Sequence, residues 1–420
     1  MLAHLPPEVW RMIFGHLTTQ ISPIEHSELT AEALWKNCTS PNPHTTRDFP
    51  STPQIIGRAI PYRLWKPEFK PSAEALSVVQ VCHSWHDLGL EFLYHTVVFS
   101  TKSHSDILRV ILAPPNGRGR FVRRVRIGHS AQIPPDDLQP VLNYCPNIED
   151  FEAHELYPSK QLLSSFATLA SQSSILHCFF SNRCPSPLWR STLINLSLLT
   201  NLQTLHVVGV ASLDTVPAVL PHLSVLVLKF DDSSRHYYRC VSEWTLPSLR
   251  VLVCQWITAH GLHDLCEAFA QTVEFLEVIH YDFWYSRPNT LEMPMLRHLV
   301  VDLLLPSEHL ARFNISRHFH YLPSLTTVHI NNLDRALKRT NVAIVASAVE
   351  PGVTTLALES QLAPQLQTIY VGAKLEDIAG GALERCFATN AAVGLVLRGR
   401  DGIWKVAGDG KLMLAEPVTA

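Results

Sequence analysis

Nine times between Val122 and Ile330 the chain repeats one frame, apolar-x-x-apolar-x-apolar. The frames begin at Val122, Ile148, Ile175, Leu202, Leu223, Leu249, Val273, Leu296 and Leu325, about 21 to 29 residues apart. The second and third apolar positions are two residues apart, so in an extended chain they share one side of a strand. A strand with one such row cannot bury it alone. Each repeat must stack on its neighbours, which makes the array a quasi-linear solenoid. Pro146, Pro221, Pro247, Pro294 and Pro323 stand just ahead of a frame, a recurrent punctuation at the start of the strand. These observations predict a solenoid of stacked strand-bearing repeats.

The regularity ends after Ile330. Leu333 to Val349 reads as a helix. Val353-x-x-Leu356-x-Leu358 and Leu366-x-x-Ile369-x-Val371 both fit the frame, yet they start too close together to begin two full repeats. The predicted solenoid spans 96–371. Residues 372–420, with Leu395-Val396-Leu397, Asp401-Gly402, Trp404 and Asp409-Gly410, read as strands and turns that cap it.

Ahead of the array the pattern is helical. Leu5, Val9, Ile13, Phe14 and Leu17 recur at three- and four-residue steps, behind Pro6 and Pro7 at a helix start and Glu8 in the first turn. A helix this short does not persist in water without a surface to lie against. Residues 18–71 form a proline-rich insertion predicted to be a mobile loop, with one short helix starting at the capping box Ser22-Pro23-Ile24-Glu25. Helical spacing returns over 73–81, and Ser84 is placed to cap a second helix carrying Trp85, Leu88, Phe92 and Leu93. Tyr94 to Phe99 is β-branched and aromatic enough for a strand.

Leu5-Pro6-Pro7-Glu8-Val9-Trp10 with Ile13-Phe14 and Leu17, followed by Val81-Cys82-His83-Ser84-Trp85 and Leu88, resembles the F-box. The repeat spacing resembles that of leucine-rich repeats, which implies an α/β solenoid with a parallel sheet on the concave face and helices or loops on the convex face. The F-box resemblance implies a small helical module, residues 1–17 and 72–95, that docks on the Skp adaptor and through it on the cullin scaffold of a ubiquitin ligase. It assigns Leu5, Pro6, Val9, Ile13, Phe14, Leu17, Val81, Cys82 and Trp85 to that module. The repeats would then hold a target protein, making the chain a substrate-recognition adaptor. One departure from the family is the insertion of more than fifty residues between the two halves, where members usually have a short connection. The alternative is a non-catalytic leucine-rich-repeat scaffold whose F-box-like segment only caps the amino-terminal end of the array.

Other function classes find little support. A net charge of −3 argues against a general nucleic-acid binder. No apolar run reaches the length of a membrane span. Nine scattered cysteines without a C-x-x-C pair, and no leader pattern after Met1, are expected of a cytoplasmic or nuclear protein. The chain has no Gly-x-Ser-x-Gly elbow, no dinucleotide fingerprint and no complete phosphate loop, so no catalytic residue, metal or cofactor is expected.

Candidate target-binding residues follow from the repeat phase. With Val122, Val125 and Ile127 inward, Arg123, Arg124 and Arg126 project from the concave face, where clustered guanidinium groups suit an acidic or phosphorylated segment. The same logic nominates Arg250 and Arg297, with Glu277, His298 and His329 beside them. Tyr281 and Trp284, in the aromatic run after the seventh frame, are candidate anchors for a partner.

Overall fold

The computed structural model describes residues 7–10, 80, 83–99, 102–114, 117–127, 135–154, 175–181, 196, 199–208, 218–229, 241–255, 259–279, 291–302, 319–331, 333, 362–378, 381–392, 394–407 and 411–417. The insertion 18–71, the helices predicted over 73–81 and 333–349 apart from residues 80 and 333, and the frame at Val353 lie outside this set. The chain divides into two units.

Unit 1 begins with a helical turn at residues 7–10 and continues with α1 (His83–Tyr94), β1 (Thr96–Phe99), α2 (Lys102–Leu112), a 3-10 turn (Arg118–Phe121), β2 (Arg124–Ile127), α3 (Pro135–Asn143), β3 (Asp150–His154), β4 (His177–Ser181) and β5 (Thr204–Val208). Helix α1 starts one residue before the predicted cap, Ser84. The five strands pair in parallel in sequence order. Parallel neighbours need a crossover, and α2 and α3 supply it between the first three strands.

Unit 2 carries β6 (Val225–Lys229), β7 (Val251–Gln255), α4 (Ala259–Phe269), β8 (Phe275–Ile279), β9 (Leu291–Glu292), β10 (His298–Asp302), β11 (Phe319–Tyr321), β12 (Thr327–Asn331), β13 (Thr368–Val371), α5 (Leu375–Ile378), α6 (Ala382–Ala392), β14 (Val396–Gly399), β15 (Gly402–Val406) and β16 (Leu412–Pro417). Its main sheet runs β6-β7-β8-β10-β12-β13-β14 in parallel. Two antiparallel strands, β15 and β16, then finish it. Each unit is thus α/β, with a mostly parallel sheet built like a solenoid.

The apolar frame is the core. All of its positions, from Val122 through Ile330, are no more than 2% exposed. Each Val, Leu, Ile or Phe among them contributes roughly 1.5–3 kcal/mol of burial, and every repeat presents three frame positions. Of the two crowded frames, the one at Leu366 builds β13, where Ile369 and Val371 are buried. The parallel pairing continues one strand past it, into β14.

The prolines have a local cause. Pro221, Pro294, Pro323 and Pro364 each occupy the second place of a turn closed by the frame's first residue. The N–H groups of Leu223, Leu296, Leu325 and Leu366 bond the carbonyls of Leu220, Met293, Leu322 and Ala363 at 3.1–3.3 Å. Proline's fixed φ suits that place, and its missing N–H is not needed there.

A second regularity lies at the other end of the turn. In several repeats of each unit, one carbonyl accepts two successive N–H groups from the next repeat. His95 O takes Arg123 and Arg124, Arg123 O takes Glu149 and Asp150, and Glu149 O takes Leu176 and His177. In unit 2, Arg250 O takes Glu274 and Phe275, Glu274 O takes Arg297 and His298, and Arg297 O takes Thr326 and Thr327. These shared bonds span 2.8–3.1 Å.

Two features were not foreseen. Strands β9 and β11 form a separate parallel pair just ahead of the turns, echoed in unit 1 by the bridge between Val219 and Thr245. At the end of unit 2, Asp401 joins three elements. It accepts Leu375 N–H at 2.9 Å, at the first residue of α5, and Trp404 Nε1–H at 2.8 Å. Trp404 lies so close on Gly399 that a Cβ there would stand 2.0 Å from its ring.

Candidate interaction surfaces

The amino-terminal helical residues come first. Trp10, from the first half of the F-box-like motif, meets Trp85, from the second, with ring centroids 4.6 Å apart and planes tilted by 56°. Val9 and Trp85 are half-buried. Leu5, Pro6, Ile13, Phe14, Leu17, Val81 and Cys82 lie outside the described residues. Helix α1 is also tied to the first repeat. Arg118 Nη1 donates to Tyr94 Oη at 2.7 Å, and its guanidinium lies over the Tyr94 ring, 5.2 Å from the centroid.

Arg124 and Arg126 lie on the strand face opposite the frame, with Val125 and Ile127 inward, but the arginines of this repeat have carboxylate partners that the sequence expectation did not include. Arg123 pairs with Glu149 at 3.0 Å, Arg126 with Glu152 at 3.4 Å, and Arg124 with Asp150. Each guanidinium faces a carboxylate one strand away. The three therefore form a neutralised ladder rather than a basic patch open to an acidic segment. The cause is register: Arg124 and Arg126 sit opposite Asp150 and Glu152 on neighbouring strands, and cross-strand opposite charges attract. The Arg124–Asp150 and Arg126–Glu152 pairs are mostly buried, whereas the Arg123–Glu149 pair is open to water and worth little to stability.

Arg250 repeats the theme, pairing with Glu274 at 2.9 Å. Arg297 is exposed at the next equivalent position. Glu277, His298 and His329 are buried, not displayed. His298 Nδ1 and Thr327 Oγ1 are hydrogen-bonded at 2.6 Å. Burial and, after it, the Arg400 guanidinium hold His329 down to about 4, so its imidazole is neutral at physiological pH. Tyr281 and Trp284 lie outside the described residues.

The strand face opposite the frame changes character along unit 2. On β6 to β10 it is closed: Val251, Phe275 and Val300 are fully buried, and Gln255, Glu277 and His298 on the same face are buried too. On β13 and β14 it opens, with Tyr370 half-buried and Val396 and Arg398 exposed. Neither the closure nor the opening was anticipated, although the near-continuous apolar runs of β6 and β7 are the mark of strands covered on both faces.

Among the described residues, no group of three or more His, Cys, Asp or Glu side chains could hold a metal ion. Cys145 is pushed up to about 12 by burial, and burial likewise raises Cys178, Cys254 and Cys266. These sulfurs stay as thiols and pack as small apolar groups. No helix among the described residues is long and apolar enough to cross a membrane.

Comparison with known proteins yields one kind of match. No family model matches the chain. No curated protein matches it. Among solved structures it is similar to a chain from the crystal structure of the Rad7 and Elc1 complex in yeast. The identity is 14% and the TM-score 0.30, over 68% of this chain and 78% of that one.

Proposed function

We propose that the chain is a substrate-recognition adaptor of a cullin-based, SCF-type ubiquitin ligase. Its F-box-like module docks on the Skp adaptor, and its repeats hold the target. The observation that carries the reading is the Trp10–Trp85 contact. Two motif halves more than fifty residues apart in sequence meet through their own aromatic residues, as a single two-part module requires. The chain supplies recognition and its partner subunits supply chemistry, in the cytoplasm or nucleus. The test is co-elution of the purified protein with the Skp adaptor. Wild type should associate, and Ile13→Asp with Phe14→Asp should abolish the complex; no association by wild type overturns the reading.

The cap reading has its own support. Helix α1 is bonded to the first repeat through Tyr94 and Arg118, and it runs directly into β1. Trp10→Ala separates the two. A docking module predicts loss of adaptor binding with the main unfolding transition nearly unmoved. A cap predicts a melting temperature lowered by several degrees, because the first repeat loses its cover.

A further inference from the structure

Helix α2 has two unlike sides. Ser105 and Leu112 are buried and Leu108 is half-buried, on the side that packs against β1, the 3-10 turn and α3. On the other side Ile107 and Val110 are 56% and 70% exposed. Ile111 is half-buried beside them, and Pro114, two residues past the helix, is exposed as well. Steps of three and four residues place Ile107, Val110 and Ile111 on one stripe. Among the described residues no other helix exposes a large apolar side chain.

Opposite charges flank the stripe. Asp106 and Arg109 are both exposed, and neither forms an ion pair among the described residues. A short apolar stripe with one free acid and one free base beside it has the pattern of a surface that fits itself. A two-fold contact requires that whatever one copy offers, the other copy answers.

We propose that this stripe binds a second copy of the chain, with the two α2 helices packed antiparallel about a two-fold axis. With the axis midway between Ile107 and Val110, each Ile107 meets the Val110 of the second copy. Asp106 then lies within about 3 Å, measured along the helix, of Arg109 of the second copy, because each residue advances the helix by about 1.5 Å. The symmetry makes this ion pair twice. Parallel helices would set Asp106 against Asp106 and Arg109 against Arg109, so the charges select the antiparallel arrangement. Exposed ion pairs add little affinity but fix orientation. One contact between helices of 11 residues lies at the low end of specific interfaces, so a dissociation constant of about 10–100 μM is expected. The inference goes beyond the adaptor reading and does not rest on it.

Sedimentation velocity on the full chain, from about 2 to 200 μM, tests it. Wild type should pass from monomer to dimer across that range. Ile107→Ser with Val110→Ser should weaken the dimer by about tenfold or more. Asp106→Arg alone and Arg109→Asp alone should each weaken it by about tenfold, since each sets like charges together twice. Mixed in equal amounts, these two charge variants should regain the wild-type affinity, because both pairs return with their signs exchanged. All four positions are exposed, and circular dichroism verifies that each variant is folded. Wild type that stays monomeric throughout, a dimer indifferent to the serine pair, or charge variants that associate no better mixed than alone overturns the inference. So does a monomeric wild type whose co-elution with the Skp adaptor is lost on Ile107→Ser with Val110→Ser, which gives the stripe to the adaptor instead.

Discussion

Acidifying the solution should weaken unit 2 through His329. The imidazole is buried on β12, with its ring centroid 5.8 Å from that of Tyr370, and its pKa is held near 4 against 6.5 for a free histidine. Between these values the unfolded chain binds a proton that the folded chain does not. Stability therefore rises with pH across the window and is lost as pH falls through it. At pH 5 the linkage amounts to about 2 kcal/mol relative to neutral pH, and below pH 4 it approaches a ceiling of about 3 kcal/mol. The assay is urea denaturation followed by circular dichroism at pH 7.5, 6 and 5, on wild type and His329→Phe. Phenylalanine keeps an aromatic ring beside Tyr370 but cannot be protonated. Wild type should lose roughly 2 kcal/mol more than the variant between pH 7.5 and 5. Parallel pH curves for the two proteins would refute the assignment, whatever the other histidines contribute to both.

Three further perturbations test the packing. Gly119→Ala would place a Cβ 2.0 Å from the Tyr144 carbonyl oxygen, so a loss of more than about 2 kcal/mol is expected in the same denaturation assay. Leu252→Ala, at a fully buried frame position, should cost about 2–5 kcal/mol, whereas Val396→Ala on the open face should stay within about 0.5 kcal/mol. Asp150→Ala removes the carboxylate facing Arg124, whose side chain is only 21% exposed, and should cost about 1–3 kcal/mol. Replacing both by leucine should recover most of that loss, as read from the shift in urea midpoint.

The repeat array was legible because its signal is carried by side-chain chemistry at fixed offsets, and each frame position became core. Proline spacing was legible for the same reason, since only one place in the turn suits it. The carboxylate partners of the arginine cluster were not read from the sequence, because a single repeat does not show them. Arg123, Arg124 and Arg126 follow Val122 by one, two and four residues, and Glu149, Asp150 and Glu152 follow Ile148 by the same steps. Those equal offsets in neighbouring repeats are what bring the charges into pairs. Arg250 and Glu274 obey the same rule. Strands β9 and β11 were not legible, because two or three residues carry no periodicity. The open face at Val396 and Arg398 depends on which strands are covered, and covering is a property of distant parts of the chain.

The carbonyl that accepts two successive N–H groups has an evolutionary consequence. It fixes where each strand begins by a bond to the strand before it, not by the number of residues between them. Loops can therefore lengthen or shorten without shifting the alignment of later strands, and the uneven spacing of the frames is the record of that freedom. Insertions that respect the doubly bonded oxygens of Arg123, Glu149, Arg250 and Glu274 should be absorbed locally, which makes the array a scaffold on which new binding segments can be grafted one repeat at a time.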